Sequence, residues 1–455
     1  MLKILFAAAL FAQAPLTRVL AQNVFKKDDV VVFVGNSITQ NGEFHHQVAL
    51  FYATRFPQEK ISVYNGGVGG NTSADVMRRM PYDILVHRPS WSVVKLGMND
   101  VNRELYLPEK QKDPGLKTAK QRMFGIYKSN VKRVIDTLLS AHSRVILQTP
   151  GIYDQTSTMP APNLKGRNDA LGDYSKFIRR AGKAYGLQVI DYRTILTRLN
   201  KKLQAKDPAA TIIGPDRVHP GPVGHFVMAY QFLKSTGAPK FVSRLSADAR
   251  TLTGQAENAD LTDLKGDRRN LTFTSAEKSL PFPVTAAVGP ALRLVPFVRD
   301  FNQEILCVKN LEKGTYRLSI DGITIGSFTS DALSKGINLA QLPSTPQNRQ
   351  AREVLRVSQD YWKTEADLRG IASMEYNQLR SREKLTPAAA ATLYARLLKE
   401  PARDSVSYRT LVNLQASYLN LKAREPQLEQ GLDSLRNEIY RANQPVRHTF
   451  SINAL

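Results

Sequence analysis

The chain has 455 residues, 42% of them hydrophobic, and a formal net charge of +23. That length is more than one ordinary core needs and that apolar content is ample, so a disordered chain is excluded and more than one domain is expected. A single cysteine, Cys307, excludes an intramolecular disulfide and a cysteine-based zinc cluster; one thiol in a strand-like segment reads as core filling.

At the amino terminus, Met1-Leu2-Lys3 supplies a positive charge, Ile4 to Ala14 is largely apolar, and Val19-Leu20-Ala21 offers a cleavage point. This reads as a secretory signal peptide over residues 1–21, cut after Ala21, which predicts a secreted or periplasmic protein. Gln13 and Pro15 interrupt it too early for a spanning helix, and no other stretch is long and apolar enough to cross a membrane. Residues 22–240 carry 32 basic and 17 acidic side chains, and residues 241–455 carry 29 and 23, so the positive excess lies in the front half. No basic–aromatic interleaving accompanies it, which argues against nucleic acid. A solvated basic surface and attraction to an acidic glycan both remain open.

Five apolar runs follow: Val30–Val34, Ile61–Tyr64, Trp91–Leu96, Arg144–Gln148 and Leu187–Asp191. Helical periodicity occupies roughly 43–56, 74–87, 121–141 and 169–185, with a further segment at 221–235. Short apolar strands alternating with amphipathic helices predict an α/β fold, a flavodoxin-like three-layer sandwich around a parallel sheet. Right-handed crossovers leave few topologies, and the order 2-1-3-4-5 is the expected one.

In that order strands two and three flank strand one, and all three end in chemistry. Strand one delivers Gly35-Asn36-Ser37, which alone could be a plain turn or helix cap. Strand two runs into Asn65-Gly-Gly-Val-Gly-Gly-Asn-Thr72, and strand three into Gly97-Met98-Asn99-Asp100. The glycine spacing fits neither a dinucleotide fingerprint nor a phosphate loop. A candidate nucleophile, Ser37, therefore stands between bare backbone N–H groups and the Asn99 amide, the donors a tetrahedral oxyanion requires. Past strand five, Asp216-Arg-Val-His219-Pro-Gly-Pro presents a histidine on a proline- and glycine-bearing loop. Asp216 lies three residues upstream, where it can fix the imidazole tautomer. His225, on a helix face, reads as packing.

These blocks together resemble the SGNH (GDSL-type) hydrolase family: Gly35-Asn36-Ser37-Ile38-Thr39, the glycine of the second block, Gly97-x-Asn99-Asp100, and Asp216-x-x-His219, spanning about residues 28–236. The resemblance implies a serine ester hydrolase without cofactor. In it Ser37 is nucleophile, His219 general base and Asp216 its orienter. The oxyanion donors are the Ser37 N–H, the Gly70 N–H and the Asn99 side chain, Gly70 being chosen among the glycines by its distance from Asn65. Asn36 replaces the family's usual aspartate, and an asparagine can hold the turn equally.

The pair His45-His46 invites a metal, but helical neighbours point about 100° apart and do not chelate as i,i+4 histidines do; no metal is expected. Basic insertions at 102–120 (Arg103, Lys110, Lys112, Lys117, Lys120) and 151–167 (Tyr153, Asp154, Lys165, Arg167) either shape a substrate pocket or are solvated loops. The front unit, residues 22–240, then gives way to an accessory region over 241–455. There Thr251 to Asn270 reads as a polar linker or irregular crossing, about 271–340 as β-rich with an Asp321-Gly322 hairpin, and about 346–442 as helical. The stretch from Asp321-Gly322 to Asn338-Leu339-Ala340 resembles tails of bacterial carbohydrate-active SGNH esterases. The whole predicts an exported serine esterase acting on small acyl, chiefly acetyl, groups of a polysaccharide or oligosaccharide, with an acidic glycan as one candidate. A lipase or thioesterase for longer chains and a non-catalytic carbohydrate-binding protein are the alternatives.

Overall fold

The computed structural model describes residues 24–399 and 405–455; the expected signal peptide lies outside them. In the front half, five short strands carry apolar residues buried on both faces, the pattern of a sheet covered above and below. They are β1 (Val30–Gly35), β2 (Ser62–Gly67), β3 (Trp91–Lys95), β4 (Arg144–Gln148) and β5 (Gln188–Ile190), parallel in the order β2-β1-β3-β4-β5. Gly35 lies opposite Gly67 and Val34 opposite Val94 in the register. The chain therefore leaves β1, β2 and β3 side by side at one edge, where open α/β sheets bind ligands.

The helices are α1 (Ser37–Gln40), α2 (Glu43–Arg55), α3 (Ser73–Arg79), α4 (Leu116–Ser140), α5 (Arg167–Tyr185), α6 (Tyr192–Gln204) and α7 (Pro222–Ser235). One set packs through α2, α7 and α6, the other through α3, α4 and α5. Sequence periodicity did not single out α6, although Ile195, Leu196 and Leu199 form its buried stripe and the Asp191 side chain caps it by accepting from Thr194 N–H.

The second half is β-rich and then helical. Its strands are β6 (Phe241–Asp248), β7 (Thr253–Glu257), β8 (Ala259–Gly266), β9 (Asn270–Glu277), β10 (Gln303–Lys309), β11 (Thr315–Ile320), β12 (Ile323–Thr329), β13 (Ile337–Asn338) and β14 (Arg447–Ala454). They form two sheets, β13-β10-β6-β7 and β12-β11-β14-β9-β8, which share one core of Leu245, Phe273, Leu306, Leu318, Phe450 and their neighbours. The segment 251–270 is thus not a linker: it holds all of β7 and β8. All five β7 residues are exposed, so the stretch carries no apolar alternation to betray it. The Asp321-Gly322 turn takes positive φ at both residues, +50° and +77°, as a tight hairpin demands.

Short helices α8 (Phe297–Phe301) and α9 (Ser330–Lys335) precede α10 (Pro346–Ser373), α11 (Pro387–Leu398), α12 (Ser405–Ala423) and α13 (Glu425–Ala442). Helix α10 packs on α2, on α13 and along β2. The core of the parallel sheet is accordingly continuous with Val354, Val357, Tyr361, Leu432 and Ile439 from these later helices. Cys307 is half-buried and its thiol donates to Ser334 O.

Candidate active site

Ser37 opens α1 directly after β1, so the strand fixes where its side chain emerges. Its Oγ lies 2.6 Å from His219 Nε2. His219 Nδ1 is hydrogen-bonded to Asp216 Oδ2, and Asp216 Oδ1 also accepts the His219 and Val218 N–H groups at 2.9 and 3.0 Å. Partial burial works against the Asp216 charge. The hydrogen bonds from the His219 backbone and ring and from Val218 outweigh it and hold this carboxyl below its ordinary value. An ionised Asp216 keeps the proton on Nδ1 and leaves Nε2 facing Ser37.

The loop that presents His219 is held by a residue the sequence reading passed over. Arg217, at φ +65° and almost wholly buried, donates to the carbonyls of Asp154, Ser157, Met159 and Ala161. The 151–167 insertion is therefore largely structural: Tyr153, Asp154 and Arg167 are buried, and Arg167 binds Met98 O at 3.0 Å. Nothing short of the fold reveals this, because all Arg217 partners are about 60 residues away.

On the other side of Ser37 stands the glycine loop after β2. Gly66 and Gly67 still belong to the strand, and the Gly67 N–H is taken by Asn65 Oδ1. The Gly69 N–H is taken by Gln40 Oε1, and a methyl on Gly69 would lie 3.8 Å from Ser37 Cβ. The Gly70 N–H, at an exposed position with φ +74°, has no acceptor among the described residues. Asn99 donates one amide hydrogen to Asn71 O at 3.0 Å, which leaves its second hydrogen uncommitted. Asp100 is buried, which pushes its carboxyl above the ordinary value against the pull of its hydrogen bonds. It ties the two loops together by accepting from Ser73 and from the Gly97 N–H.

Asn36 does not act as the sequence suggested. It is buried, makes no side-chain cap to α1, and neither amide atom has a partner. His225 is buried against Phe44, with burial pushing its imidazole down to about 3. Lys95, at the end of β3, is buried as well, which lowers its amine to about 7.

His45 and His46 do not diverge as helical neighbours once α10 is in place. Both Nε2 atoms turn to one carboxylate oxygen of Glu365, His46 at 2.7 Å and His45 at 3.5 Å. These three are the set with metal-ligand spacing found among the described residues. Hydrogen bonding already engages the carboxylate: its other oxygen accepts Asn65 N–H at 3.1 Å, and His46 stacks on Trp362. Burial lowers the His45 imidazole to about 4 despite its carboxylate neighbour.

Residues 33–226 match the GDSL-like lipase/acylhydrolase family. A curated relative, the acetylxylan esterase of Geobacillus stearothermophilus, is 24% identical over 223 residues, 46% of this chain and 93% of that one. A solved structure of a gut microbial diltiazem-metabolizing enzyme is 29% identical with a TM-score of 0.85, covering 96% of this chain and all of that one. A solved acetylxylan esterase from G. stearothermophilus is 22% identical with a TM-score of 0.38, covering 47% of this chain and 96% of that one.

Proposed function

We propose, for a chain whose residues 33–226 form a GDSL-like (SGNH) hydrolase and which is a carboxylic ester hydrolase, that Ser37 is the nucleophile of an acyl-enzyme mechanism removing acetyl groups from a carbohydrate. The observation that carries this reading is the continuous hydrogen-bonded line from Ser37 Oγ through His219 to Asp216. His219 Nε2 accepts the Ser37 proton as Oγ attacks the ester carbonyl, and Asp216 stabilises the resulting imidazolium. The oxyanion is met by the Ser37 N–H, by the Gly70 N–H, which the loop leaves uncommitted, and by the spare Asn99 hydrogen. Collapse breaks the ester C–O bond and His219 returns the proton to the departing alkoxide. A water, deprotonated by the same imidazole, then attacks the acyl-enzyme; acetate leaves and Ser37 Oγ regains its proton.

The substrate class rests on similarity and on openness. The curated relative is an acetylxylan esterase. The longer relative is a diltiazem-metabolizing enzyme. Asp216 is half exposed and Ser37 only partly covered, so a bulky alcohol can reach the serine. The leader at 1–21 makes this an exported enzyme in our reading, and the front unit over 22–240 carries the chemistry. The test is hydrolysis of p-nitrophenyl acetate, butyrate and octanoate beside acetate release from acetylated glycans. Acetate preference with release from a glycan is expected. Preference for octanoate would replace the reading with a lipase or thioesterase, and no turnover of any ester would refute it.

A further inference from the structure

Strand β2 is an edge strand, and an edge leaves backbone N–H and C=O groups without partners. Helix α10 supplies those partners from one face. Tyr361 OH donates to Val63 O at 2.8 Å, Glu365 Oε1 accepts the Asn65 N–H at 3.1 Å, and Arg369 Nε donates to Gly67 O at 3.0 Å. The spacing is commensurate: four helical residues rise about 6 Å and two strand residues about 6.6 Å, so 361, 365 and 369 meet 63, 65 and 67 in step. Arg369 is fixed in turn by Asp83, which also binds Arg79, and Arg79 donates to Gly35 O and Gly66 O.

This ladder does not stop where the strand stops. At its C-terminal end α10 widens into one turn of π-helix, Met374–Gln378, a feature that often marks functional positions. That turn carries Asn377 into the glycine loop. Its Nδ2 donates to Gly69 O at 2.7 Å and its Oδ1 accepts from Asn71 Nδ2 at 2.8 Å. Asn71 is held on its other side by Arg79 Nε at 2.7 Å, and its carbonyl receives the Asn99 amide.

The Gly69 carbonyl and the Gly70 N–H belong to the same planar trans peptide and so point in opposite directions. Whatever captures Gly69 O aims Gly70 N–H the other way. We propose that Asn377, from the accessory region, is a positioning residue of the hydrolase site: by clamping Gly69 O and Asn71 Nδ2 toward α10 it turns the Gly70 N–H, and through Asn71 the Asn99 amide, onto the oxyanion. This rests on the oxyanion reading above. It makes the later helices part of the active site's construction rather than an appended module. Without the clamp, a glycine at φ +74° with nothing within 4 Å of an added Cβ has little to hold its peptide plane.

The experiment compares Asn377→Ala, Asn377→Asp and Tyr361→Phe in the full chain. The readouts are kcat and KM on p-nitrophenyl acetate, melting temperature, and inhibition by phenylboronic acid, whose serine adduct is a tetrahedral anion. Asn377→Ala is expected to lower kcat about 10–100-fold, a fraction of the usual effect of an oxyanion donor, with KM within about twofold. Boronate affinity should weaken in parallel. Asn377→Asp keeps the acceptor for Asn71 but loses the donor to Gly69 O, and should be as slow. Tyr361→Phe loosens the same helix at Val63 and should keep kcat within about twofold. The proposal is overturned if Asn377→Ala keeps kcat within about threefold while Ser37→Ala is inactive. It is equally overturned if Tyr361→Phe is as slow as Asn377→Ala, because general loosening of α10 would then suffice. An active Ser37→Ala would instead overturn the oxyanion reading itself.

Discussion

Gly67→Ala is the most demanding perturbation of the strand edge. A Cβ at Gly67 would stand 2.2 Å from Gln40 N, 2.7 Å from Thr39 C and 2.8 Å from Gln40 Cα. All three are backbone atoms of α1, the turn that begins with Ser37, so no side chain can swing aside. Ordinary contact needs about 3.5 Å, which forces β2 and α1 apart by on the order of 1 Å. Overpacking of that kind costs about 1–3 kcal/mol. A displacement of that size beside a nucleophile costs about 10²-fold in rate. Gly70→Ala is the matched control. Nothing lies within 4 Å of its added Cβ, and φ +74° strains an alanine by about 1–2 kcal/mol while the N–H remains. Both variants would be compared with wild type by urea unfolding and by kcat on p-nitrophenyl acetate at one temperature. Gly67→Ala should lose about two orders of magnitude in kcat and Gly70→Ala less than one. A Gly67→Ala enzyme within threefold of wild type, or a Gly70→Ala enzyme equally impaired, would refute the claim that α1 and the glycine loop are locked at this contact.

Three further outcomes follow from the same geometry. Asn99→Ala should lower kcat by about 10²–10³-fold with KM little changed if its spare amide hydrogen meets the oxyanion as proposed; a raised KM at constant kcat would make Asn99 a substrate-binding group. Lys110, Lys112 and Lys117 are exposed on the insertion after β3, whereas Lys120 packs over the Tyr106 ring. Replacing the first three by Gln, or raising salt, should depress kcat/KM on an acetylated acidic polymer and spare p-nitrophenyl acetate, because such attraction is screened over about 8–10 Å; equal responses would dismiss the acidic-glycan idea. Glu304 and Glu277 are buried together; burial and then mutual repulsion raise Glu304 well above the ordinary carboxylate value, with Arg55 opposing. A raised acid costs nothing below the unfolded value near 4.5 and increasingly destabilises the fold as pH climbs toward the folded value. The stability advantage of Glu304→Gln should therefore grow between pH 4 and 8 in urea titrations, and a pH-independent difference would contradict this.

What could be read in the sequence is what short-range pattern encodes. The five strands and the placement of Ser37 and Asn99 follow from apolar runs that end in glycine, serine and asparagine, the strand order from right-handed crossovers, and His219 with Asp216 from a proline- and glycine-bearing loop past the last strand. The Gly70 choice rested on family resemblance together with its distance from Asn65, and the structure adds the observation that its N–H is uncommitted. Strands β7 and β8 escaped notice because one is exposed along its whole length, and β14 lies between β9 and β11 although it closes the chain. The supports of the site escaped for the same reason of distance. Arg217 grips carbonyls about 60 residues upstream, Glu365 pulls two adjacent histidines together across 319 and 320 positions, and Asn377 reaches the glycine loop across 308. Side chains that act on the backbone of a remote loop leave no local periodicity.

The central claim is that Ser37 carries the acyl group. A fluorophosphonate reagent, which leaves a stable adduct on an activated serine, tests it most directly by intact mass and peptide mapping of the wild type, Ser37→Ala and His219→Ala chains. One adduct per wild-type chain, mapped to Ser37, is predicted, with none in Ser37→Ala and greatly slowed labelling in His219→Ala. Stoichiometric labelling of Ser37→Ala at another residue, together with undiminished ester hydrolysis, would contradict the account.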